Sequence, residues 1–261
     1  MITVRKLESA LYAWAPKELA EDWDNVGLLV GDGDREVHKV LVSLDITEAV
    51  VQEAIDMAAD VIVSHHPVIF PLAGNLNVVT TDDFRGHILT KLIENRISAI
   101  CMHTNLDAAD GGINDTLAEM LGLQGIEVFN AEKIGRIGIL NCELPLVEFV
   151  PHVVKLLGCN GARFISGGKN VHRVAVGGGA CGEYITQVIE AGCDTFVTSD
   201  LKYNHFLDTQ GLNLIDAGHF PTENVICPKI VARLKCDFPA LTIVRSTAHT
   251  DEVIQYCIKE N

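Results

Sequence analysis

Two adjacent histidines, His65 and His66, follow a short apolar run and precede Pro67. In a regular strand, adjacent side chains point to opposite faces, so both imidazoles reach one site only if the strand ends between them. Pro67 restricts the residue before it to an extended conformation. Such a pair suits two metal ions side by side, each bound by one imidazole. Two histidines that only form hydrogen bonds at a strand end are the alternative interpretation.

Two further segments each offer an imidazole and, four residues later, a carboxylate. These pairs are His103 with Asp107 and His219 with Glu223. Pro221 interrupts the second pair, which predicts a tight loop that leads into a helix. Imidazoles and carboxylates suit zinc, iron, manganese, cobalt or nickel, and the donor types do not choose among these metals. Ordinary loop polarity is the alternative for either segment alone.

Two other segments hold candidate groups for substrate binding and proton transfer. Gly178 and Gly179 lie in a glycine-rich turn between a strand and a helix, where backbone N–H groups favour an anion. A turn that allows close packing explains these glycines equally well. Asp200, Lys202 and His205 follow another apolar strand and could orient a substrate or relay protons. An ion-paired cap of the next helix is the competing interpretation.

Apolar strands alternate with amphipathic helices along the chain, which predicts an α/β fold. The predicted strands are residues 28–30, 40–44, 61–63, 98–102, 164–165, 173–176 and 212–215. The predicted helices are residues 2–15, 17–21, 48–59, 84–95, 113–121, 144–157 and 225–234. Ligands collect at the carboxyl ends of the strands in such sheets, and every polar group named above follows a predicted strand.

The sequence also contains an internal repeat. The segment 38–42 matches the segment 172–176, and each is followed by a helix, an acidic residue (Asp60 or Asp194) and a strand that ends at a serine. The two imidazole–carboxylate pairs match each other in the same order. We therefore expect two pseudo-symmetric α/β halves, residues 1–126 and 127–261, with a dinuclear metal site in the cleft between them.

Composition excludes several classes of protein. The 35 acidic and 20 basic residues give a formal charge of −15, which repels nucleic acid. Eight cysteines without a C-x-x-C pair indicate reduced thiols, not a zinc ribbon or a redox centre. No apolar run reaches the length of a membrane span, and the first residues lack the pattern of a secretory signal. We expect a cytoplasmic protein without membrane or nucleic-acid partners.

Five strings, in this order, resemble those of a known family. They are Trp23-Asp24-Asn25-Val26-Gly27-Leu28, Val63-Ser64-His65-His66-Pro67, His103-Thr104-Asn105-Leu106-Asp107, Thr198-Ser199-Asp200-Leu201-Lys202-Tyr203 and Asp216-Ala217-Gly218-His219-Phe220-Pro221-Thr222-Glu223. Over essentially the whole chain, the sequence resembles the NGG-interacting-factor-three-like family, also known as the GTP cyclohydrolase 1 type 2 family. Some relatives carry an inserted domain between the halves, for which residues 126–164 leave no room.

The resemblance implies a dinuclear metal centre and a ring-shaped homohexamer. The implied metal ligands are His65, His66, Asp107, His219 and Glu223. Two divalent ions per chain, zinc, iron, manganese, cobalt or nickel, are then the expected cofactors. A metal-dependent hydrolase of this family would activate water to attack C8 of GTP, open the guanine ring and release formate.

In this interpretation, the remaining candidates assist a reaction on a small molecule such as a nucleotide. His103, His205 and Glu223 are expected to act in catalysis by moving protons or bridging the ions. The groups expected to bind the substrate are Gly178, Gly179, Asp200 and Lys202. Two alternatives remain: a metal-dependent phosphoesterase that acts on nucleotides, and a non-catalytic metal-binding scaffold or chaperone that acts through protein partners.

Overall fold

The computed structural model describes residues 1–70, 76 and 78–251, which form two compact units. One unit comprises Met1–Asp110 and Ile226–His249, and the other comprises Gly111–Val225 and the described residues from Thr250 onward. Packing therefore divides the chain at residues 110 and 225. The halves predicted from the repeat meet at residue 126. They differ from the packed units because the chain returns to the first unit after residue 225. The boundary of the repeat itself remains a prediction.

A five-stranded sheet forms the centre of the first unit. Its strands are β1 (Gly27–Val30), β2 (Lys39–Ser43), β3 (Val61–Ser64), β4 (Ser98–Cys101) and β11 (Thr242–Arg245), in the order β1-β4-β3-β2-β11. Only the edge strand β1 is antiparallel to its neighbour. The helices are α1 (Val4–Trp14), α2 (Glu48–Asp56), α3 (Phe84–Glu94), α4 (Thr104–Ala108) and α10 (Ile226–Asp237). Leu41, Ile62 and Ala99 of the sheet pack in one core with α2 and α3.

The second unit contains a six-stranded sheet. Its strands are β5 (Gln124–Glu127), β6 (Arg136–Leu144), β7 (Arg163–Ile165), β8 (Val171–Val176), β9 (Thr195–Thr198) and β10 (Asn213–Asp216), in the order β5-β6-β8-β9-β10-β7. Its helices are α5 (Ile113–Met120), α6 (Leu146–Leu157), α7 (Ile185–Glu190), α8 (Tyr203–Asp208) and α9 (His219–Glu223). Because side chains alternate along a strand, Val174 packs with α5 and α6 whereas Ala175 packs with α7. Both faces of this sheet are therefore covered.

The two sheets share one local design. In the first unit, β2, α2 and β3 are followed by β4, and the three strands are parallel neighbours. In the second unit, β8, α7 and β9 are followed by β10 in the same arrangement. The carboxylate of Asp60 accepts hydrogen bonds from the amides that begin β2, and Asp194 does the same for β8. The repeated acidic residue thus fixes the start of the preceding strand in each unit.

Most predicted elements occur within a few residues of their predicted positions, but some were missed or misassigned. The strands β5, β6 and β11 and the short helix α4 were not predicted. Residues 219–223, predicted as a loop, form α9. A proline is tolerated in the first turn of a helix because N–H groups there have no partner within the helix. Among the described residues, no helix is long and apolar enough to cross a membrane, and the seven cysteines are free thiols.

An ion pair between a buried arginine and a partly buried aspartate connects α5 to the sheet of the second unit. Arg136, at the start of β6, is 2% exposed and forms two hydrogen bonds with the carboxylate of Asp115, of 2.7 and 3.1 Å. We expect Arg136→Met to lower the free energy of unfolding by about 3–5 kcal/mol, because Asp115 would lose its buried partner. Urea unfolding measures this loss.

The control is Arg173→Met, which removes the pair with the exposed carboxylate of Glu127. Its expected effect is about 1 kcal/mol or less, because exposed pairs are well hydrated. Equal losses for the two variants would contradict the role assigned to Arg136.

Candidate metal centre

Strand β3 ends directly before the two adjacent histidines, His65 and His66. The amides of His65 and His66 both donate to the carbonyl oxygen of Leu44, at 3.1 and 2.9 Å. Since two successive amides of a regular strand point in opposite directions, this shared acceptor marks the end of the strand. The two imidazole rings consequently lie on the same side, with centroids 4.8 Å apart. The geometry required for a shared site is present.

His103 joins these two residues. Its ring centroid lies 5.0 Å from that of His65 and 5.6 Å from that of His66. The candidate ligand nitrogens of the three residues all lie within 4.8 Å of one another, and we call them the three-histidine cluster. Asp107 Oδ1 lies 3.8 Å from His65 Nε2. The sequence predicted His103 only as a proton-transfer residue, but its position makes it a candidate ligand as well.

Each member of the cluster has its Nδ1 atom held by an oxygen acceptor. The Nδ1 contacts are His65 with the carbonyl of Met102 at 2.8 Å, His66 with Asp45 at 2.7 Å, and His103 with Asp24 at 2.8 Å. A carbonyl or carboxylate can only accept, so we assign the proton of the neutral ring to Nδ1. Nε2 then carries the lone pair, as in histidines that bind metals in proteins.

The carboxylates behind the cluster are charged. Burial raises the pKa of Asp24, but hydrogen bonds from His103 and Thr104 outweigh it and lower the pKa to about 2. Asp45 is half-buried, which raises its pKa, but hydrogen bonds with His249 and His66 outweigh this effect and hold the pKa of Asp45 well below the ordinary value. Each carboxylate therefore fixes the tautomer and the orientation of the imidazole that it contacts.

Cys101 lies at the end of β4, close to these groups, and burial raises the pKa of its thiol well above the ordinary value. The thiol donates to the carbonyl oxygen of His65 at 2.8 Å. Thiolates, not thiols, are the metal ligands. Cys101 is therefore a packing residue, and the donors of the cluster are nitrogen and oxygen atoms.

The second unit positions His219 and Glu223 one turn apart on α9. Glu223 is 4% exposed, and its Oε2 lies 3.0 Å from His219 Nε2. Asp200, at the end of β9, holds His219 Nδ1 at 2.6 Å. The backbone of Asp200 is left-handed, with φ 53°, a conformation that aspartate adopts more readily than most residues. We call Asp200, His219 and Glu223 the His219 cluster.

The His219 cluster attracts a positive charge. Burial lowers the pKa of His219, but Glu223 and Asp200 outweigh it and raise the pKa to about 11. In the metal-free protein a proton therefore stays on the imidazole at neutral pH. A metal ion that binds Nε2 replaces this proton, so metal binding releases it and weakens as the pH falls.

The glycine-rich turn packs directly against the His219 cluster. The amides of Gly178 and Gly179 donate to the side chains of Asn114 and Thr222. A Cβ atom at Gly179 would collide with the carboxylate of Glu223. These contacts favour the close-packing interpretation of the turn, because both amides already have acceptors within the protein.

Lys202 and His205 lie at the start of α8. The amide of Lys202 donates to Nδ1 of His205 at 3.3 Å, which caps the helix. The ring of His205 lies against Gly182. This arrangement matches the interpretation of the segment as a helix cap. Catalytic and substrate-binding roles for these two residues remain predictions.

The groups that hold His66 and His103 were not predicted as such from the sequence. Asp45 and His249 were not singled out, and Asp24 appeared only within a family string. Asp45 contacts Nε2 of His249 at 2.6 Å as well as His66. The carboxylate of Glu53, in α2, accepts hydrogen bonds from the amide and the hydroxyl of Thr247, two residues before His249. The only available signal was the Trp23-Asp24-Asn25 string, because the other partners are distant in sequence.

One family model matches nearly the whole chain. The model, Duf34/NIF3 (NGG1p interacting factor 3), matches residues 2–252. A protein of Clostridium perfringens named GTP cyclohydrolase 1 type 2 homolog is 35% identical over 231 residues, which cover 85% of this chain and 87% of the relative. A Streptomyces coelicolor protein of the same name is 33% identical over 240 residues, covering 87% and 83%.

Solved structures agree with these sequence matches. The hypothetical protein SA1388 of Staphylococcus aureus has a TM-score of 0.90 and 31% identity, covering 98% of this chain and 99% of that one. Reduced HcgD from Methanocaldococcus jannaschii has a TM-score of 0.81 and 28% identity, covering 93% and 97%. The family resemblance seen in the sequence is thus confirmed: the chain belongs to the Duf34/NIF3 (NGG1p interacting factor 3) family.

Proposed function

We propose that this protein binds two divalent metal ions and uses them to hydrolyse a small molecule. The observation that carries the proposal is common to His65, His66, His103 and His219. Each has Nδ1 held by a carbonyl or carboxylate oxygen, which leaves Nε2 as the ligand atom. A hydrogen bond that holds Nδ1 is common in histidines with a purely structural role. The same hydrogen bond at four histidines fits a metal centre best.

The proposed ligands are the five predicted from the family resemblance, with His103 as an additional candidate. An imidazole offers one lone pair and therefore serves one ion, whereas a carboxylate can hold two ions roughly 3.5–4 Å apart. Glu223 is the proposed bridging residue, and Asp107 is the second candidate. Imidazole and carboxylate ligands suit zinc, iron, manganese, cobalt and nickel. The proposal therefore specifies a divalent ion from this group and not one metal.

The proposed reaction is ring opening of GTP with release of formate. The names of relatives such as the C. perfringens protein support this choice. Divalent ions at these donors would supply Lewis acidity and lower the pKa of bound water towards neutrality. The chain itself would contribute a proton acceptor at the site. His103, whose Nδ1 is held by Asp24, is the first candidate for this role if its Nε2 does not bind an ion, because one lone pair cannot do both. Assembly as a homohexamer remains a prediction from the family.

The reaction is tested by product analysis of purified protein with GTP, with and without added metal. We expect formate release that depends on metal and is lost in His66→Ala, because this variant lacks one ligand nitrogen. The control is His38→Ala, which removes an imidazole that is 71% exposed in the same unit.

Two results would redirect the assignment. Phosphate release without formate would replace the cyclohydrolase by a phosphoesterase at the same centre. If metal-loaded protein released neither product, the catalytic proposal would fail and the scaffold alternative would stand.

A separate prediction concerns the carboxylates behind the histidines. We expect Asp24→Asn to weaken metal binding by about 10–100-fold, because a neutral amide holds Nδ1 of His103 less firmly than the carboxylate does, and the ring orientation is then less well fixed. Competition with a chromophoric chelator measures this change. The exposed Asp34 provides the control, since Asp34→Asn removes the same charge on the same unit. Equal affinities for the two variants would show that Asp24 has no role in metal binding.

A further inference from the structure

One buried carboxylate outside the His219 cluster contacts both of the turns that carry this cluster. Asp216, the last residue of β10, is 6% exposed. Its Oδ2 accepts a hydrogen bond from the amide of Leu201 at 3.0 Å, and its Oδ1 accepts one from the amide of Gly218 at 3.2 Å. Leu201 directly follows Asp200, and Gly218 directly precedes His219. The two oxygens of Asp216 therefore connect the turn after β9 to the turn after β10.

The guanidinium of Arg163 adds a third contact to this carboxylate. Arg163 lies opposite Asp216 in the pairing of β7 with β10. Its Nη2 donates to the carboxylate of Asp216 and, at 2.9 Å, to the carbonyl oxygen of Leu201. The same guanidinium lies over the ring of Phe206 in α8, 5.3 Å from the ring centroid. A buried charge that loses such a partner is left with an unsatisfied oxygen, so these contacts hold both turns firmly.

The backbone of both turns requires such support. Asp200 is left-handed, with φ 53°, and Gly218 has φ 88°, a value that favours glycine. A left-handed residue other than glycine costs free energy and persists only where its surroundings hold it. The hydrogen bond from the amide of Leu201 to Asp216 holds the turn immediately after Asp200. The carboxylate of Asp200 can then stay on Nδ1 of His219, at 2.6 Å.

A purely structural role is the alternative for Asp216. Asp194 has such a role at the opposite end of the same parallel strands, where its carboxylate accepts hydrogen bonds from the amides of His172 and Arg173. Those amides lie at the start of β8. The amides that Asp216 holds are instead adjacent to members of the His219 cluster. The two aspartates are thus chemically alike but differ in what they position.

We propose that Asp216 is a positioning residue of the candidate metal centre. Because it holds the two turns together, it keeps the carboxylate of Asp200 on Nδ1 of His219 and leaves Nε2 of that ring as the ligand atom. Arg163 supports Asp216 in this role. The effect on metal binding rests on the proposed function, whereas the contact between Asp200 and His219 is a property of the chain itself.

Crystal structures of metal-free variants and zinc affinities of the full-length chain test the proposal together. Asp216→Asn keeps the size of the side chain but offers one acceptor oxygen where Asp216 offers two. We expect the contact between Asp200 and His219 to lengthen beyond hydrogen-bonding distance in this variant. The Kd of at least one zinc ion should then rise about tenfold or more, because the ring of His219 is no longer fixed. Competition with a chromophoric chelator measures this Kd.

The matched control is Asp194→Asn, which removes the same charge from the far end of the same strands. It should lower the stability of the fold but leave the contact between Asp200 and His219, and both zinc affinities, unchanged. Arg163→Gln is a milder variant, since the side chain of Arg163 is 59% exposed. It should raise the same Kd by a smaller factor than Asp216→Asn does, and Arg163→Lys should raise it less because the charge remains.

The assignment is overturned if folded Asp216→Asn keeps either the contact between Asp200 and His219 or the zinc affinities of the unmodified chain. It is also overturned if Asp194→Asn weakens zinc binding as much. If Asp216→Asn does not fold, Arg163→Gln decides by the same two measurements. If the unmodified chain binds no zinc, the proposed function fails, and the contact distance in the metal-free crystals alone decides whether Asp216 positions His219.

Discussion

The hydrogen bond at Nδ1 of each histidine is the interaction on which the candidate centre depends. It fixes the tautomer and the ring orientation, and thereby which nitrogen faces a metal. Without Asp24, the ring of His103 could rotate or place its proton on Nε2, and the donor would be lost. The carboxylates of Asp24 and Asp45 are stabilised in turn in their charged form, since their low pKa values come from the same hydrogen bonds.

The fold supplies these acceptors from distant parts of the chain. Asp24 lies in the segment before β1, whereas Asp45 follows β2 and is held in turn by His249 after β11. Parallel strands bring their carboxyl ends to one edge of a sheet, so residues that are far apart in sequence meet there. The return of the C-terminal segment to the first sheet, through the pairing of β11 with β2, is therefore part of how His66 is oriented.

Much of this arrangement was predictable from the sequence because strong local patterns encode it. The parallel strands are continuous apolar runs, and the polar residues that follow them identify the strand ends. The strands β5 and β11 are short and lie at sheet edges, so they carry little periodic signal. The contacts of Asp45 with His249 and of Glu53 with Thr247 join residues about two hundred positions apart, which no local pattern reveals. His103 was recognised as functional, but its place among the candidate ligands depended on three-dimensional proximity.

Anomalous diffraction from crystals of the metal-loaded protein, recorded at the absorption edge of the bound metal, is the most direct test of this account. Two peaks per chain are expected, each at roughly 2.0–2.1 Å from Nε2 atoms among His65, His66 and His219, with Glu223 contacting a metal ion. Their Nδ1 atoms should keep the hydrogen bonds to Met102, Asp45 and Asp200. Metal bound through Nδ1, or no anomalous peak at these histidines, would contradict the account.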